Sequence, residues 1–178
     1  MKTLRWKFMR EGYKSEHGKC KWKKNVWSKP IKKLEMCEKG YHCSKGINQA
    51  FSFVQGEILA QVECKGKNII QSNKEVWESM RIVKAYKWTQ KDSVAMAIYA
   101  AELVIGIYEK KYPKDDRSRK AIEAAKKWLK NPTQKNKDAA AHAAADAAYA
   151  AAYAAYAAAL VEKIETWMKK RVSKLEVL

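Results

Sequence analysis

The residues with the clearest chemical potential lie in a short basic stretch near the N-terminus. The stretch KCKWKKNVWSKPIKK, residues 19–33, contains seven lysines, two tryptophans and no acidic residue. Lysines attract phosphate groups, and an indole ring beside them offers a surface on which a base stacks. The pattern predicts a site for a nucleotide or single-stranded nucleic acid, and the alternative is a solvated loop whose tryptophans anchor it to a small core. The predicted contact residues are Lys21, Trp22, Lys23, Lys24 and Trp27.

A second candidate for anion binding is the arginine pair in DDRSRK, residues 115–120. Arg117 and Arg119 fall in the first turn of a predicted helix, where positive charge opposes the helix dipole. Free backbone N–H groups and two guanidinium groups at that end would hold a phosphate well. The alternative is a set of ion pairs with nearby carboxylates, for which the candidates are Asp115, Asp116, Glu102 and Asp146.

An alanine-rich segment carries the third candidate. Sixteen of the twenty-one residues from 139 to 159 are alanine, and the exceptions follow at intervals of four, three, four and three residues. This spacing puts them on one stripe of a helix, which Leu160, Ile164 and Trp167 continue. Alanine favours the helix and lets neighbouring helices or a second copy of the chain pack closely. The stripe and the arginine pair could together line a cleft, and its predicted ligand contacts are His142, Asp146, Tyr149, Tyr153 and Tyr156.

The sequence pattern changes from strand-like to helical near residue 88. TLRWKFM, EILAQVEC and MRIVKAYKW predict short strands, and INQAFSFV predicts a two-turn helix before the second of them. In EILAQVEC, Ile58, Ala60, Val62 and Cys64 share the buried face of the predicted strand. Later apolar residues recur at helical spacing, with Pro113 and Asn131-Pro132 as stops, which predicts helices over about 92–112, 116–129 and 134–172. We therefore expect an α+β protein in which a small basic β-rich domain (1–88) packs on an Ala-rich antiparallel bundle of about three helices (89–178).

Net charge favours an anionic partner. The chain holds 37 Lys and Arg against 19 Asp and Glu, a formal charge of +18. Residues 1–90 contribute +12 of this excess, because they hold 20 basic and 8 acidic residues. The expected partner is a nucleotide, a nucleic acid or an acidic protein. The alternative is that the charge reflects a lysine-rich proteome.

The sequence also bears on location and cofactors. The start, MKTLRWKFMREG, has no apolar run of the secretory kind, and residues 138–162 are too polar for a membrane span. A cytoplasmic protein without a membrane partner is expected, so its four cysteines should be free thiols. Potential metal ligands are present, but their spacing is poor for structural zinc and we expect no metal or other cofactor. Those ligands are His17, Cys20, Cys37, His42 and Cys43.

Two segments resemble known families. Residues 108–159, with PKDDRSRKAIEA, a tryptophan ending that helix and a His-containing alanine helix, resemble the Ala-rich immunity protein family. The N-terminal part looks like a small domain of unknown function from bacterial and bacteriophage proteins, through WKF (6–8), CEKGYHC (37–43) and EILAQVECKG (57–66). The resemblance implies a phage, prophage or conflict-system protein without enzymatic activity.

A further resemblance keeps an enzyme in view. GYHCS (40–44), a short helix and EILAQVECKG are similar to the central part of ADP-ribosyltransferase-like folds, where such strands build a nicotinamide pocket. This resemblance implies a ligand-binding role for His42. The pattern departs from that fold because no downstream Glu stands in a catalytic sequence context.

Together these observations predict a non-enzymatic protein that captures a phosphate-bearing ligand, a signal nucleotide or nucleic acid, in a phage–bacterium conflict. If the chain is phage-encoded, it would act in the cytoplasm of the host cell. The competing hypothesis is an immunity-type protein that neutralises a protein toxin through its basic surface, and an ADP-ribosyltransferase-like enzyme is the third.

Overall fold

The computed structural model describes residues 3–16, 20–54, 56–133 and 158–178. The chain groups into two compact units, one formed by residues 1–88 with 168–178 and the other by residues 89–167. The described part contains four strands and five helices, named here in chain order. They are β1 (Thr3–Met9), β2 (Tyr41–Cys43), α1 (Ile47–Phe53), β3 (Ile58–Ile70), β4 (Glu75–Lys87), α2 (Gln90–Glu102), α3 (Ile105–Lys111), α4 (Arg117–Lys130) and α5 (Ala158–Val172).

The first unit is built on a curled antiparallel sheet with the strand order β1-β3-β4-β2. Its outer strands meet, because Trp6 N–H donates to the Ser44 carbonyl and Ser44 N–H donates to the Trp6 carbonyl, both at 2.9 Å. Side chains on one face of the sheet therefore point into an enclosed interior. Lys7 lies in that interior row, opposite Ala60 of β3, which in turn lies opposite Ala85 of β4.

Apolar packing covers both faces of the sheet. Ile58, Ala60, Val62 and Cys64 are all buried, as the alternation in EILAQVEC predicts. The intervening Leu59 is also completely buried, so both faces are covered in the first half of β3, whereas its second half, from Lys65 to Ile70, is exposed. An aromatic cluster lies on the outer side, where Phe8 of β1 packs edge-on against Phe51 of α1 and against Trp88. Their ring centroids lie 5.3 and 5.4 Å from that of Phe8.

Part of the basic stretch runs along the edge of β4 beyond the end of β2. Three backbone N–H groups of this segment donate to carbonyl oxygens of β4 at 2.8–2.9 Å, which fixes the segment at that edge. The donors are Asn25, Ser28 and Ile31, and their acceptors are Ile82, Met80 and Glu78 in the same order.

In the second unit, α2, α3 and α4 share an apolar core formed by Ile98, Ala101, Ile105 and Ile122. Thr89 caps α2, because its side chain accepts from the Asp92 N–H while the Asp92 carboxylate accepts from the Thr89 N–H at 2.8 Å. No helix in the described ranges is long and apolar enough to cross a membrane.

The α+β class is confirmed, but the predicted bundle of about three helices is wrong. The helix expected over about 92–112 is divided into α2 and α3, because Val104 takes a non-helical backbone conformation with φ −124° and ψ −16°. The predicted helix over 134–172 is described only from Ala158, and its end from Met168 groups with the β-rich unit. Apolar spacing continues across the break at Val104, so periodicity alone did not reveal it.

A glycine beside β2 provides a test of this packing. Gly40 has φ +127°, and a Cβ atom there would lie 2.3 Å from Val76 Cγ2. We expect Gly40→Ala to lower the free energy of unfolding by at least about 2 kcal/mol, through backbone strain and overpacking. Gly106→Ala in α3 is the matched control, since that Cβ would meet no atom within 4 Å. It should stabilise by roughly 0.5–1 kcal/mol, because alanine is the better helix former. Urea unfolding followed by tryptophan fluorescence measures both, and equal midpoints for Gly40→Ala and the parent chain would contradict the packing described.

Candidate functional site

The β-rich unit contains a cavity of about 560 Å³ between β1, β2, α1 and the segments that precede β2. This volume lies within the range of about 300–1,000 Å³ that small-molecule sites occupy. The lining combines aromatic rings, cations and thiols. The residues that carry the argument are Lys7, Trp22, Cys37, Tyr41, His42 and Lys74.

Lys7 brings an ammonium group to the inner side of this cavity. Its Nζ donates to the His42 carbonyl oxygen at 2.9 Å and forms no ion pair with any carboxylate of the described residues. Burial lowers the pKa of Lys7 below the ordinary 10.5. Lys7 is half-buried, and a cation in that position with one neutral acceptor has hydrogen-bonding capacity and charge left for an anion.

The neighbouring cation on β1 is satisfied by the protein itself. Arg5 lies two residues before Lys7 on the same face, and its Nε donates to the Glu75 carboxylate at 2.7 Å. Trp77 Nε1 donates to the same oxygen at 2.8 Å. The fold therefore supplies a buried carboxylate for one of two adjacent interior cations and none for the other.

His42 is held in place by its backbone surroundings. Its Nε2 accepts from the Cys37 N–H at 2.9 Å, and the other ring nitrogen, Nδ1, donates to the Gly40 backbone carbonyl. Burial first, then the positive charges of Lys7 and Lys74, lower the pKa of His42 below 6.5. The imidazole is therefore neutral near pH 7 and positions β2, with both nitrogens engaged.

Cys37 and Lys74 form part of the cavity rim. Cys37 has φ +69°, a strained conformation for a residue with a Cβ, which directs its N–H to the His42 ring. Its Sγ lies 2.7 Å from Lys74 Nζ, and that ammonium also lies 5.3 Å from the centroid of the Phe53 ring. The rim thus offers a second cation beside an exposed aromatic ring.

The remaining thiols are free, as predicted. Cys43 and Cys64 are buried with their Sγ atoms 3.7 Å apart. The hydrogen bond between the two thiols and their burial raise the pKa of Cys43 far above its usual range. Cys43 therefore stays protonated, and the two thiols pack as small apolar groups.

Two of the predicted aromatic residues have structural contacts. Trp22 is buried and lines the cavity, packing edge-on against Tyr41 at 5.1 Å between centroids, with its Nε1 donating to Ser15 Oγ at 3.3 Å. Trp27 lies outside the cavity, where Lys65 and Arg81 approach its ring to 4.1 and 4.8 Å. Of these two tryptophans, Trp22 lines the cavity together with His42 and Trp27 does not.

The predicted lysines of the basic stretch lie at the surface. Lys21, Lys23 and Lys24 are exposed, and Lys24 Nζ contacts the Leu178 carbonyl oxygen. They do not line the cavity themselves, although Trp22 between them does.

The arginine pair at the start of α4 is engaged in ion pairs. Arg117 donates to both carboxylate oxygens of Asp115 at 2.9 and 2.7 Å, and Arg119 donates to both of Glu109 at 2.8 and 2.6 Å. Tyr108 also donates to Asp115 at 2.9 Å, and these donors hold the pKa of Asp115 well below its usual range, with Arg117 the main cause. Carboxylates thus already occupy the two guanidinium groups that would otherwise hold a phosphate.

The third predicted set lies outside the described residues. It comprises His142, Asp146, Tyr149, Tyr153 and Tyr156, and it stays a prediction.

Sequence reasoning missed Lys7. The alternation in TLRWKFM suggests that Arg5 and Lys7 face solvent, opposite Trp6 and Phe8. The available signal was Met9, which shares the face of both cations and is completely buried.

No protein-family model matches this chain, and neither a curated protein nor a solved structure shows significant similarity to it.

The environment of His42 gives a direct spectroscopic test. We expect its imidazole to titrate below 6.5 in a pH series of NMR spectra, with His42→Gln to assign the signal. In Lys7→Met the pKa should rise, because one of the two lysine charges that disfavour the imidazolium is gone. Between the lowered pKa and 6.5 the unfolded chain binds more protons, so the free energy of unfolding should fall as pH drops below 6.5. A pKa at or above 6.5 in the parent chain would refute this description.

Proposed function

We propose that the β-rich unit is a non-enzymatic binding module that captures a small phosphate-bearing ligand of the nucleotide class in the cavity around Lys7. The observation that carries the proposal is the interior ammonium of Lys7, which has a carbonyl contact and no carboxylate partner among the described residues. Burying such a charge costs free energy unless an anion compensates it. A phosphate would accept the remaining Lys7 hydrogens and remove that cost.

The rim supports an anion over a cation. Lys39 and Lys74 line the cavity together with Lys7. Of the two lining carboxylates, Glu16 is paired with Arg10, whereas Glu38 is exposed. The positive groups at this site therefore outnumber the negative ones, and the enclosing walls reduce screening by solvent.

The aromatic walls support a ligand with a flat ring. Trp22 and Tyr41 line the cavity and fix each other through their edge-on contact, and Phe53 is 43% exposed at the rim. Base–aromatic stacking contributes about 1–3 kcal/mol per base. A nucleotide whose base stacks on these rings would add this free energy to that of its phosphate contact with Lys7. Because both His42 nitrogens are bonded to backbone, binding is better supported than acid–base chemistry.

The biological setting is proposed from the family resemblances. A protein that holds a nucleotide without converting it would act by sequestration, and a role in a phage–bacterium conflict would make a signal nucleotide its target. The free thiols are compatible with a cytoplasmic site of action.

Calorimetric titration tests the proposal with one charge removed. The probes are the four common nucleoside 5′-monophosphates and a cyclic dinucleotide, with adenosine as the phosphate-free reference. We expect at least one phosphate ligand to bind the parent chain, and Lys7→Met to weaken it about 10- to 100-fold, as loss of a charged hydrogen bond requires. Lys67→Met is the matched control, since Lys67 is an exposed strand lysine that does not line the cavity.

The stability of the same variant separates lost binding from lost folding. Lys7→Met replaces a buried ammonium with an apolar chain of similar length, so its thermal midpoint should not fall below that of Lys67→Met. Equal ligand affinities in Lys7→Met and the parent chain, or no binding of any phosphate probe by the parent chain, would overturn the proposal.

The pH dependence of affinity follows from the lowered pKa of Lys7. A phosphate is dianionic above about pH 6, and Lys7 is charged below its own pKa, so affinity should be highest between these limits. It should fall as pH rises through the Lys7 pKa, which lies below the ordinary 10.5. Affinity that stays constant up to pH 10.5 would show that Lys7 does not hold the anion.

A further inference from the structure

The basic stretch that precedes β2 reaches the cavity. Cys20, Trp22 and Ile31 line it, and lysines lie between and just after them in the chain. We name the exposed lysines of this segment, apart from Lys24, which contacts the Leu178 carbonyl oxygen, the basic edge. It comprises Lys21, Lys23, Lys29, Lys32 and Lys33.

The segment that bears the basic edge is fixed along the sheet. The backbone N–H groups of Asn25, Ser28 and Ile31 are bonded to β4, and the Tyr41 hydroxyl donates to the Lys29 carbonyl at 2.9 Å. Asn25 has φ +60°, so the backbone bends there. The lysines are therefore carried on an ordered support whose wall residues Trp22 and Ile31 belong to the cavity.

The basic edge is uncompensated, unlike several cations of α4 in the helical unit. None of its lysines forms an ion pair with a carboxylate of the described residues, and the segment from 20 to 33 contains no acidic residue. In the helical unit, by contrast, Arg117, Arg119, Lys120 and Lys126 are all paired with carboxylates. The unpaired lysines of the basic edge, unlike the exposed Lys91, Lys110 and Lys114 of the helical unit, belong to a segment that also lines the cavity.

We propose that the ligand is the end of a single-stranded nucleic acid, with its terminal phosphate at Lys7 and its following phosphodiesters along the basic edge. This inference rests on the proposed function, because it uses the same cavity for the terminal nucleotide. A free nucleotide has no use for a row of cations beyond the rim, whereas a strand presents a charge at every residue. A membrane surface would need exposed apolar anchors beside the lysines, and within the segment only Val26 is a large exposed hydrophobic residue.

Length dependence is the test. Fluorescence anisotropy compares the best-binding 5′-mononucleotide with a 5′-phosphorylated single strand of the same base, about eight nucleotides long. We expect the strand to bind the parent chain at least about 10-fold more tightly, because several phosphate contacts are added. The triple variant Lys29→Gln, Lys32→Gln, Lys33→Gln should lose this gain and keep the mononucleotide affinity. The matched control is Lys91→Gln, Lys110→Gln, Lys114→Gln, which removes three exposed charges from the helical unit.

Salt titration and strand chemistry complete the design. For a single strand, each phosphate contact adds about 0.7 to the negative slope of log affinity against log salt concentration, so the basic-edge variant should reduce that slope by up to about 2. A circular strand, which has no end, should bind much more weakly than the linear one. Lys7→Met should weaken both the mononucleotide and the linear strand.

The outcomes separate this inference from the proposed function. The inference is overturned if the linear strand binds no more tightly than the mononucleotide, or if the circular strand binds as tightly as the linear one. Either result leaves the cavity proposal intact. Equal losses in the two triple variants would attribute the gain to net charge and overturn it too. Binding to phosphatidylserine vesicles through the basic edge, without strand binding, would make a membrane the partner. Absence of mononucleotide binding together with an inert Lys7→Met would refute the proposed function itself.

Discussion

The reciprocal backbone hydrogen bonds between Trp6 and Ser44 are the constraint on which the β-rich unit depends. Without them β1 would be an open edge, and its side chains would alternate between core and solvent. With them, Lys7, which follows Trp6, faces an enclosed interior and meets the backbone of His42, which lies two residues before Ser44. The contact of Lys7 with the His42 carbonyl is therefore a consequence of sheet closure. The same closure brings the segments that precede β2 against β1, where they form the wall that carries Trp22.

Sheet closure also explains why an interior cation is sterically tolerated. Lys7 lies in a row with Ala60 and Ala85, two of the smallest side chains, so its long stem has room that a row of large residues would fill. Its neighbour Arg5 shows the alternative arrangement, because Glu75 is 1% exposed and pairs with that guanidinium. A cation without such a partner lowers stability, and proteins retain costly groups of this kind where binding requires them. Cys37, with its positive φ beside the same cavity, is a second local cost at the same place.

Local sequence patterns predicted much of the β-rich unit and less of its site. Strands β1 and β3 follow from composition and alternation, and the buried row from Ile58 to Cys64 was read correctly. The interior position of Lys7 was not predicted, because alternation within one strand does not reveal that the sheet closes on itself. Apolar spacing likewise could not show the break at Val104, since both sides of the break keep the same periodicity. The arginine pair was recognised as needing compensation, but the choice between a ligand and carboxylates depends on tertiary distances that a sequence does not contain.

The distribution of paired and unpaired cations suggests how binding would be divided between the two parts of the basic surface. Exposed lysines of the basic edge act over about 8 Å at physiological salt, so they raise the rate of encounter and add affinity that salt removes. Lys7 is half-buried within the cavity, and its contact with an anion is screened less than that of an exposed lysine. Selectivity for a phosphate beside an aromatic ring would therefore reside in the cavity, whereas capture at a distance would reside in the edge. Because the two are joined through Trp22 and Ile31, a ligand long enough to touch both gains from the second contact without a further loss of translational freedom.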